Sequence, residues 1–211
     1  MAEITLAKKA GFCFGVDRAI KLIEKLACEG RKVATLGPII HNSQVIEDLE
    51  SRGVRVVNLP SEVEDGAILV LRTHGVTQDV LREVEESGCE YIDAVCPFVK
   101  KIHKIVLDNS SEDVVTLIAG DENHPEVVGI NGWCENTATV IKSEEEAENI
   151  AFSDTKTVCV VAQTTFEREL WKKITKILKN TCQSAMFFDT ICSVTENRQK
   201  EAETLSSEVD L

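Results

Sequence analysis

The chain has 211 residues, 43% of them apolar and 28% charged, with a formal net charge of −13. That length buries a sizeable core without covalent stapling. The acidic balance, with no basic block longer than Lys100-Lys101, repels a nucleic-acid backbone, so nucleic acid is not an expected partner.

The longest unbroken apolar runs, Ala67 to Leu71 and Val158 to Ala162, fall far short of the roughly 20 residues a membrane-spanning helix needs. No membrane association is expected. Met1-Ala2-Glu3-Ile4-Thr5 runs straight into a strand pattern without an apolar signal region, which fits a cytoplasmic protein. Eight cysteines in such a chain read as free, catalytic or metal-bound thiols of a reducing compartment. The closest pair is Cys89 and Cys96, so there is no C-x-x-C motif, zinc ribbon or bacterial ferredoxin run. Any bound metal takes its ligands from distant parts of the chain.

In chain order, a strand near Ile4 to Ala7 leads to Cys13. A helix from about Val16 to Glu29 follows, with Ala19, Ile20, Ile23, Leu26 and Ala27 at helical spacing and Gly30 as its stop. A strand over Lys32 to Leu36 breaks at Gly37-Pro38 and delivers His41 before a helix over Ser43 to Arg52. After a short strand, Val54 to Val57, the buried-type strand Ala67 to Leu71 runs into Arg72-Thr73-His74-Gly75. A helix over Thr77 to Ser87 then precedes Tyr91-Ile92-Asp93-Ala94-Val95-Cys96 and a helix from Phe98 to Leu107.

The pattern repeats from the strand Val114 to Ala119, which is followed by Asn123-His124-Pro125-Glu126 and a helix, then by a strand near Thr139 to Ile141. A helix over Ser143 to Ile150 opens with a capping box, Ser143 with Glu146. The strand Thr157 to Ala162 delivers Gln163-Thr164-Thr165 before a helix over Phe166 to Lys179. A last strand, Met186 to Asp189, presents Cys192, and a polar helix runs from about Thr195 to the terminus.

Alternating strands and helices predict an α/β protein with parallel sheets, whose ligands lie beyond the carboxyl ends of the strands. Three units are expected: residues 14–95, residues 96–191, and an incomplete third formed by residues 1–13 with 192–211. Cysteine is by default an inert buried thiol, and that reading is kept for Cys28, Cys89, Cys134, Cys159 and Cys182. Cys13, Cys96 and Cys192 instead share one position, at a strand end directly before a helix. Three thiols without a fourth point to an iron-sulfur cluster with one open iron, or to a Cys3His zinc site completed by His41, His74 or His124.

A lone histidine after a strand is usually a satisfied structural residue, and His103, within a helix, keeps that reading. His41, His74 and His124 all follow strands, where imidazoles beside helix N-termini can bind a phosphate or diphosphate. Glu126 either answers a helix dipole or transfers a proton. Its place beside His124 and Pro125 favours the proton.

With these residues assembled, the chain resembles the IspH/LytB family, the 4-hydroxy-3-methylbut-2-enyl diphosphate reductases. The resemblance rests on Ala10-Gly11-Phe12-Cys13-Phe14-Gly15-Val16, Gly37-Pro38-Ile39-Ile40-His41-Asn42, Arg72-Thr73-His74-Gly75-Val76, Asp93-Ala94-Val95-Cys96-Pro97, His124-Pro125-Glu126, Gln163-Thr164-Thr165, and Ile191-Cys192 with Thr195 and Asn197-Arg198-Gln199. It implies a trefoil of α/β units around a 4Fe-4S cluster held by Cys13, Cys96 and Cys192. His41, His74, His124 and Thr164 would line the diphosphate pocket, and Glu126, with His124 and Thr164, would serve proton delivery. The implied reaction is reductive dehydroxylation of the allylic diphosphate to isopentenyl and dimethylallyl diphosphate, with reduced ferredoxin or flavodoxin as donor. Members of the family continue past the position of Leu211 with a Ser-Ser-Asn segment that holds the diphosphate, so a C-terminally truncated chain is expected. A non-catalytic metal-binding protein of the same fold, or an inactive fragment, is the alternative.

Overall fold

The computed structural model describes residues 4–150 and 157–209. Apolar runs long enough to be covered on both faces form the centre of each half. In the first, β1 (Val33–Leu36), β2 (Arg55–Val57), β3 (Ile68–Leu71) and β4 (Tyr91–Asp93) make a parallel sheet of order β2-β1-β3-β4. In the second, β5 (Val114–Ala119), β6 (Thr139–Ile141), β7 (Thr157–Ala162) and β8 (Ala185–Phe187) repeat that order as β6-β5-β7-β8. Helices α1 (Phe14–Cys28), α2 (Ser43–Ser51) and α3 (Gln78–Ser87) accompany the first half, and α4 (Pro97–Asp108) lies between the two, Val99 in the first core and Ile102 and Val106 in the second. The second half carries α5 (Pro125–Asn131), α6 (Glu144–Asn149), α7 (Arg168–Thr181) and α8 (Ser193–Ser206).

Both sheets are sandwiched, which explains the unbroken apolar strands. Ile68 and Val70 pack on one side with Ile20, Ile23 and Leu26 of α1, while Leu69 and Leu71 pack on the other with Val84 and Val99. Likewise Leu117, Val158 and Val160 meet Trp171, Ile174 and Leu178 of α7, and Ile118, Cys159 and Val161 face Ile102 and Ile130. The registers Leu36↔Leu71 and Ala119↔Ala162 align the carboxyl ends of the central strands. Loops leaving those ends therefore emerge side by side.

Side-chain caps start the helices the sequence marked. Asn42, Thr77 and Ser143 each accept the amide three residues on, as capping residues do. At α6 the return bond differs from a capping box: Glu146 accepts from the amide of Lys142 at 2.6 Å, one residue before the expected position.

The expected strand at Ile4 to Ala7 is not one. No described strand lies alongside to pair with its backbone, and Ile4 and Leu6 are 90% and 80% exposed. An alternating pattern makes a strand only where a neighbour accepts its hydrogen bonds. This N-terminal segment instead meets α8, where Glu201 accepts from the amides of Lys8 and Lys9 at 2.8 Å each. Helix α8 buries no residue, and the tail of the expected helix, with Met1 to Glu3, lies outside the described residues. Cys134 and Cys159 are buried as expected, whereas Cys28, the last residue of α1, is exposed because it falls off that helix's apolar stripe.

The halves are joined where α4 meets α5. His103 is 5% exposed and stacks on Trp133 at 5.0 Å, and the Trp133 indole donates to the Val76 carbonyl. Gly75 sits against this imidazole with φ +84°, and a Cβ there would lie 2.5 Å from His103 Cε1, so both backbone and space require glycine. Burial pushes the His103 pKa from 6.5 down to about 4. The fold thus takes up this proton later than the unfolded chain does. The His103 contribution to stability is level above about pH 6.5 and falls as pH drops toward 4, by roughly 3 kcal/mol at the acid end. His103→Phe keeps a ring against Trp133 and removes the titration. Its melting temperature is expected to fall less between pH 7 and pH 5 than that of the parent, and an equal fall would assign the acid sensitivity elsewhere.

Candidate active site

In each sheet the strand order reverses between the two central strands, and the crevice beyond that switch point is where α/β folds bind ligands. The loops after β1 and β3 carry His41 and His74; those after β5 and β7 carry His124 and Thr164. The outer strands β4 and β8 lead to Cys96 and Cys192. The backbone hydrogen bonds repeat as well, Cys96 N donating to Thr73 O at 3.0 Å and Cys192 N to Thr164 O at 2.8 Å. Two equivalent crevices therefore open into one cavity of about 260 Å³, lined by Cys13, Cys96, Cys192, His41, His74, His124, Glu126 and Thr164. Every candidate named from the sequence lines this cavity.

Cys13, Cys96 and Cys192 are the N-cap residues of α1, α4 and α8. Three helix N-termini thus point toward the thiols, and their free amides and dipoles favour negative charge there. On Cys96 burial is the largest influence and pushes the pKa up; the amides of Phe98 and Val99 pull it down, and Cys13 and Cys192 push it up. Packing is close: a Cβ on Gly15 would lie 2.8 Å from Cys96 Sγ.

The imidazoles form a compact triangle, with centroids 4.4 Å apart for His41 and His74, 5.4 Å for His41 and His124, and 5.5 Å for His74 and His124. Their ligand atoms all lie within 4.8 Å of one another. Burial, then the neighbouring His41, His124 and Arg72, pushes His74 from 6.5 to about 4. Burial and His41 also hold His124 below its ordinary value. His124 Nδ1 accepts from the Glu126 amide at 3.1 Å, which leaves the ring proton on Nε2 as a donor. His74 Nδ1 is buried without a partner among the described residues, so the triangle has hydrogen-bonding capacity to spare for an anion.

Glu126 is 2% exposed and is gripped at both oxygens, by the Thr164 amide and by the Thr164 hydroxyl, each at 2.6 Å. Burial raises its pKa, and the two bonds from Thr164 work against that rise. Burial thus favours the protonated carboxyl, a group that can carry a proton to a neighbouring ligand.

Sequence reasoning gave no role to Arg18 and Arg198. Arg18 Nη2 donates to Ala94 O at 3.0 Å and Val95 O at 2.8 Å, and Arg198 Nη2 donates to Gly11 O. The only signal for Arg18 was a charge beside the buried pair Ala19 and Ile20 of α1. Arg198 and Thr195, quoted for the resemblance alone, both line the cavity.

The LytB protein family model matches residues 4–211. The 4-hydroxy-3-methylbut-2-enyl diphosphate reductase of Caldanaerobacter subterraneus subsp. tengcongensis is 44% identical over 99% of this chain and 73% of its own length. The reductase of that name from Clostridioides difficile is 41% identical over 99% of this chain and 75% of its own length. The chain thus spans about three quarters of these relatives. A solved structure of (E)-4-hydroxy-3-methyl-but-2-enyl diphosphate reductase, described as the terminal enzyme of the non-mevalonate pathway, superposes with a TM-score of 0.79 at 35% identity. That match covers 100% of this chain and 75% of the other. The Plasmodium falciparum reductase superposes with a TM-score of 0.82 at 27% identity, over 95% of this chain and 64% of its own. With matching sequence along its whole described length and the same two-sheet frame, the chain belongs to the LytB family.

Proposed function

We propose that the chain is an oxidoreductase that reductively removes the hydroxyl of 4-hydroxy-3-methylbut-2-enyl diphosphate, giving isopentenyl and dimethylallyl diphosphate in non-mevalonate isoprenoid synthesis. The observation that carries this is the gripped, buried Glu126 opening on the same cavity as three N-cap cysteines and three clustered histidines. We assign Cys13, Cys96 and Cys192 as ligands of a 4Fe-4S cluster. Among the described residues the one set close enough to share a single ion is His41, His74 and His124, and no cysteine joins it. Thiols spread around one cavity suit a polynuclear cluster better than a Cys3His zinc ion. When bound, the cluster supplies the electrons, delivered by reduced ferredoxin or flavodoxin.

The protein's own groups do the rest. The neutral imidazoles of His74 and His124, with His41, donate hydrogen bonds to the diphosphate, and the positive ends of the surrounding helices offset its charge. A bound diphosphate adds negative charge beside Glu126 and raises its pKa further, keeping a proton available for the departing hydroxyl. Thr164 holds both carboxyl oxygens, so the proton is presented from a fixed position. Eight unpaired cysteines suit a reducing compartment, and we assign the protein to the cytoplasm. No helix among the described residues is long and apolar enough to cross a membrane. We further divide the chain into units 14–95 and 96–191, each with its own sheet, and an incomplete unit of residues 1–13 with 192–211, supported by the bonds of Glu201 to Lys8 and Lys9.

The test is turnover by anaerobically reconstituted protein with a low-potential reductant and saturating substrate. Both five-carbon diphosphates are expected as products. A fully loaded protein that leaves the substrate unchanged would favour the non-catalytic reading.

A further inference from the structure

The three cysteine loops come from distant parts of the chain, so something must hold them at fixed separations before a ligand does. Arg18, in the second turn of the helix after Cys13, donates to the carbonyls of Ala94 and Val95, the two residues before Cys96. Arg198, in the second turn of the helix after Cys192, donates to the carbonyl of Gly11, two residues before Cys13. Two links share one form, the helix following one cysteine grasping the loop preceding another: α8 to the Cys13 loop and α1 to the Cys96 loop. The loop before Cys192 is held by Arg168 of α7, which pairs with Asp189 and Glu196.

These arginines differ in charge balance. Arg168 faces two carboxylates, whereas Arg18 and Arg198 bond to neutral carbonyls and form no ion pair among the described residues. Both are half-buried, and the Nε of each, like that of Arg168, is buried without a partner among the described residues. Neither charge is therefore answered by a carboxylate among the described residues; Arg198 lines the cavity itself, and Arg18, which does not, lies against the backbone directly before Cys96.

We propose that Arg18 and Arg198 are positioning residues for the cluster, joining the Cys13, Cys96 and Cys192 loops into one frame and favouring the reduced cluster through their unmatched charge. This rests on the assignment of the three cysteines as cluster ligands. A reduced cluster carries one more negative charge than the oxidised one, so a nearby fixed cation in a half-buried site stabilises it more. A neutral replacement removes that preference along with the bonds. A lysine keeps the charge but has no planar fork, so it restores one carbonyl contact better than two.

The test uses the 211-residue chain, reconstituted anaerobically, as parent, Arg18→Gln, Arg18→Lys, Arg198→Gln and Arg198→Lys. The readouts are iron per chain and the midpoint potential from a spectroscopic redox titration. Both glutamine variants are expected to load severalfold less cluster and to show a potential shifted negative. Arg198→Lys should recover loading and potential, its target being one carbonyl. Arg18→Lys should recover the potential while loading stays low. Glutamine variants with the loading and potential of the parent would overturn the proposal, and lysine variants shifted as far as the glutamines would overturn its charge component. If a glutamine variant loads no cluster, its apo far-ultraviolet circular dichroism decides: a parent-like spectrum supports positioning, and an unfolded one assigns the arginine to the fold instead. A parent that binds no iron would overturn the cluster assignment itself, an outcome distinct from these.

Discussion

Cys96→Ser is expected to strip the protein of its iron. A serine hydroxyl is a hard, weakly acidic ligand where iron in a sulfide cluster takes a soft thiolate; Cys96 stands at the N-cap of α4, half-buried against Gly15, and the thiols beside it, Cys13 and Cys192, are the other two assigned ligands and cannot stand in for it. Cys13→Ser and Cys192→Ser should behave alike, since each residue caps an equivalent helix. Cys28→Ser is the control: that thiol is exposed at the far end of α1 and should be replaceable with no change in iron content. Metal analysis after anaerobic reconstitution reads all four variants. Parent-level iron in Cys96→Ser would remove this residue from the ligand set.

Glu126→Gln is expected to leave the cluster in place and cut turnover by about a hundredfold or more, the usual scale for a lost general acid. Glutamine preserves the shape and can still accept the Thr164 amide through its carbonyl oxygen, so the loop geometry should survive. What it removes is a proton-carrying group whose pKa burial already raises. Protonation of Glu126 is favoured in the fold, so its contribution to stability is complete at acid pH and is lost as pH rises through the raised pKa. The glutamine variant is accordingly expected to be as stable as the parent, or more so, on the alkaline side. His124→Asn should differ in kind, weakening substrate binding as well as rate, because His124 presents Nε2 to the cavity while its Nδ1 caps α5. Side-by-side measurement of turnover, substrate affinity and cluster spectrum separates the two. Parent-like turnover in Glu126→Gln would move the proton to another group.

The alternation of buried strands and helices was legible because each element carries its own pattern. Ala67 to Leu71 reads as a buried strand, Ser143 reads as a cap, and Gly88 reads as a stop, adopting φ +69° at the end of α3. The site candidates were legible for a related reason: a parallel sheet brings its strand-to-helix loops to one edge, so residues such as His41, His74 and Cys96 could be placed near one another from topology alone. What a single chain pattern does not encode is pairing at a distance. Ile4 to Ala7 has a strand's alternation and no partner. The grip of Thr164 on Glu126 joins residues 38 apart, and the bond from Arg198 to Gly11 joins residues 187 apart. Neither has a periodicity to betray it. The shared strand order of the two sheets, and the matching bonds from Cys96 N to Thr73 O and from Cys192 N to Thr164 O, likewise emerged only once the strands were paired.

The central claim is that three cysteines, delivered by three helix N-termini, hold an open iron-sulfur cluster in the cavity that also holds the histidines and Glu126. Its most direct test is the quantity of iron and acid-labile sulfide in the anaerobically reconstituted chain, with the visible spectrum followed before and after exposure to air. About four irons and four sulfides per chain are expected, with an absorption that bleaches in air because one iron would lack a protein thiolate. One tightly bound zinc ion without sulfide, or a spectrum indifferent to air, would contradict the claim.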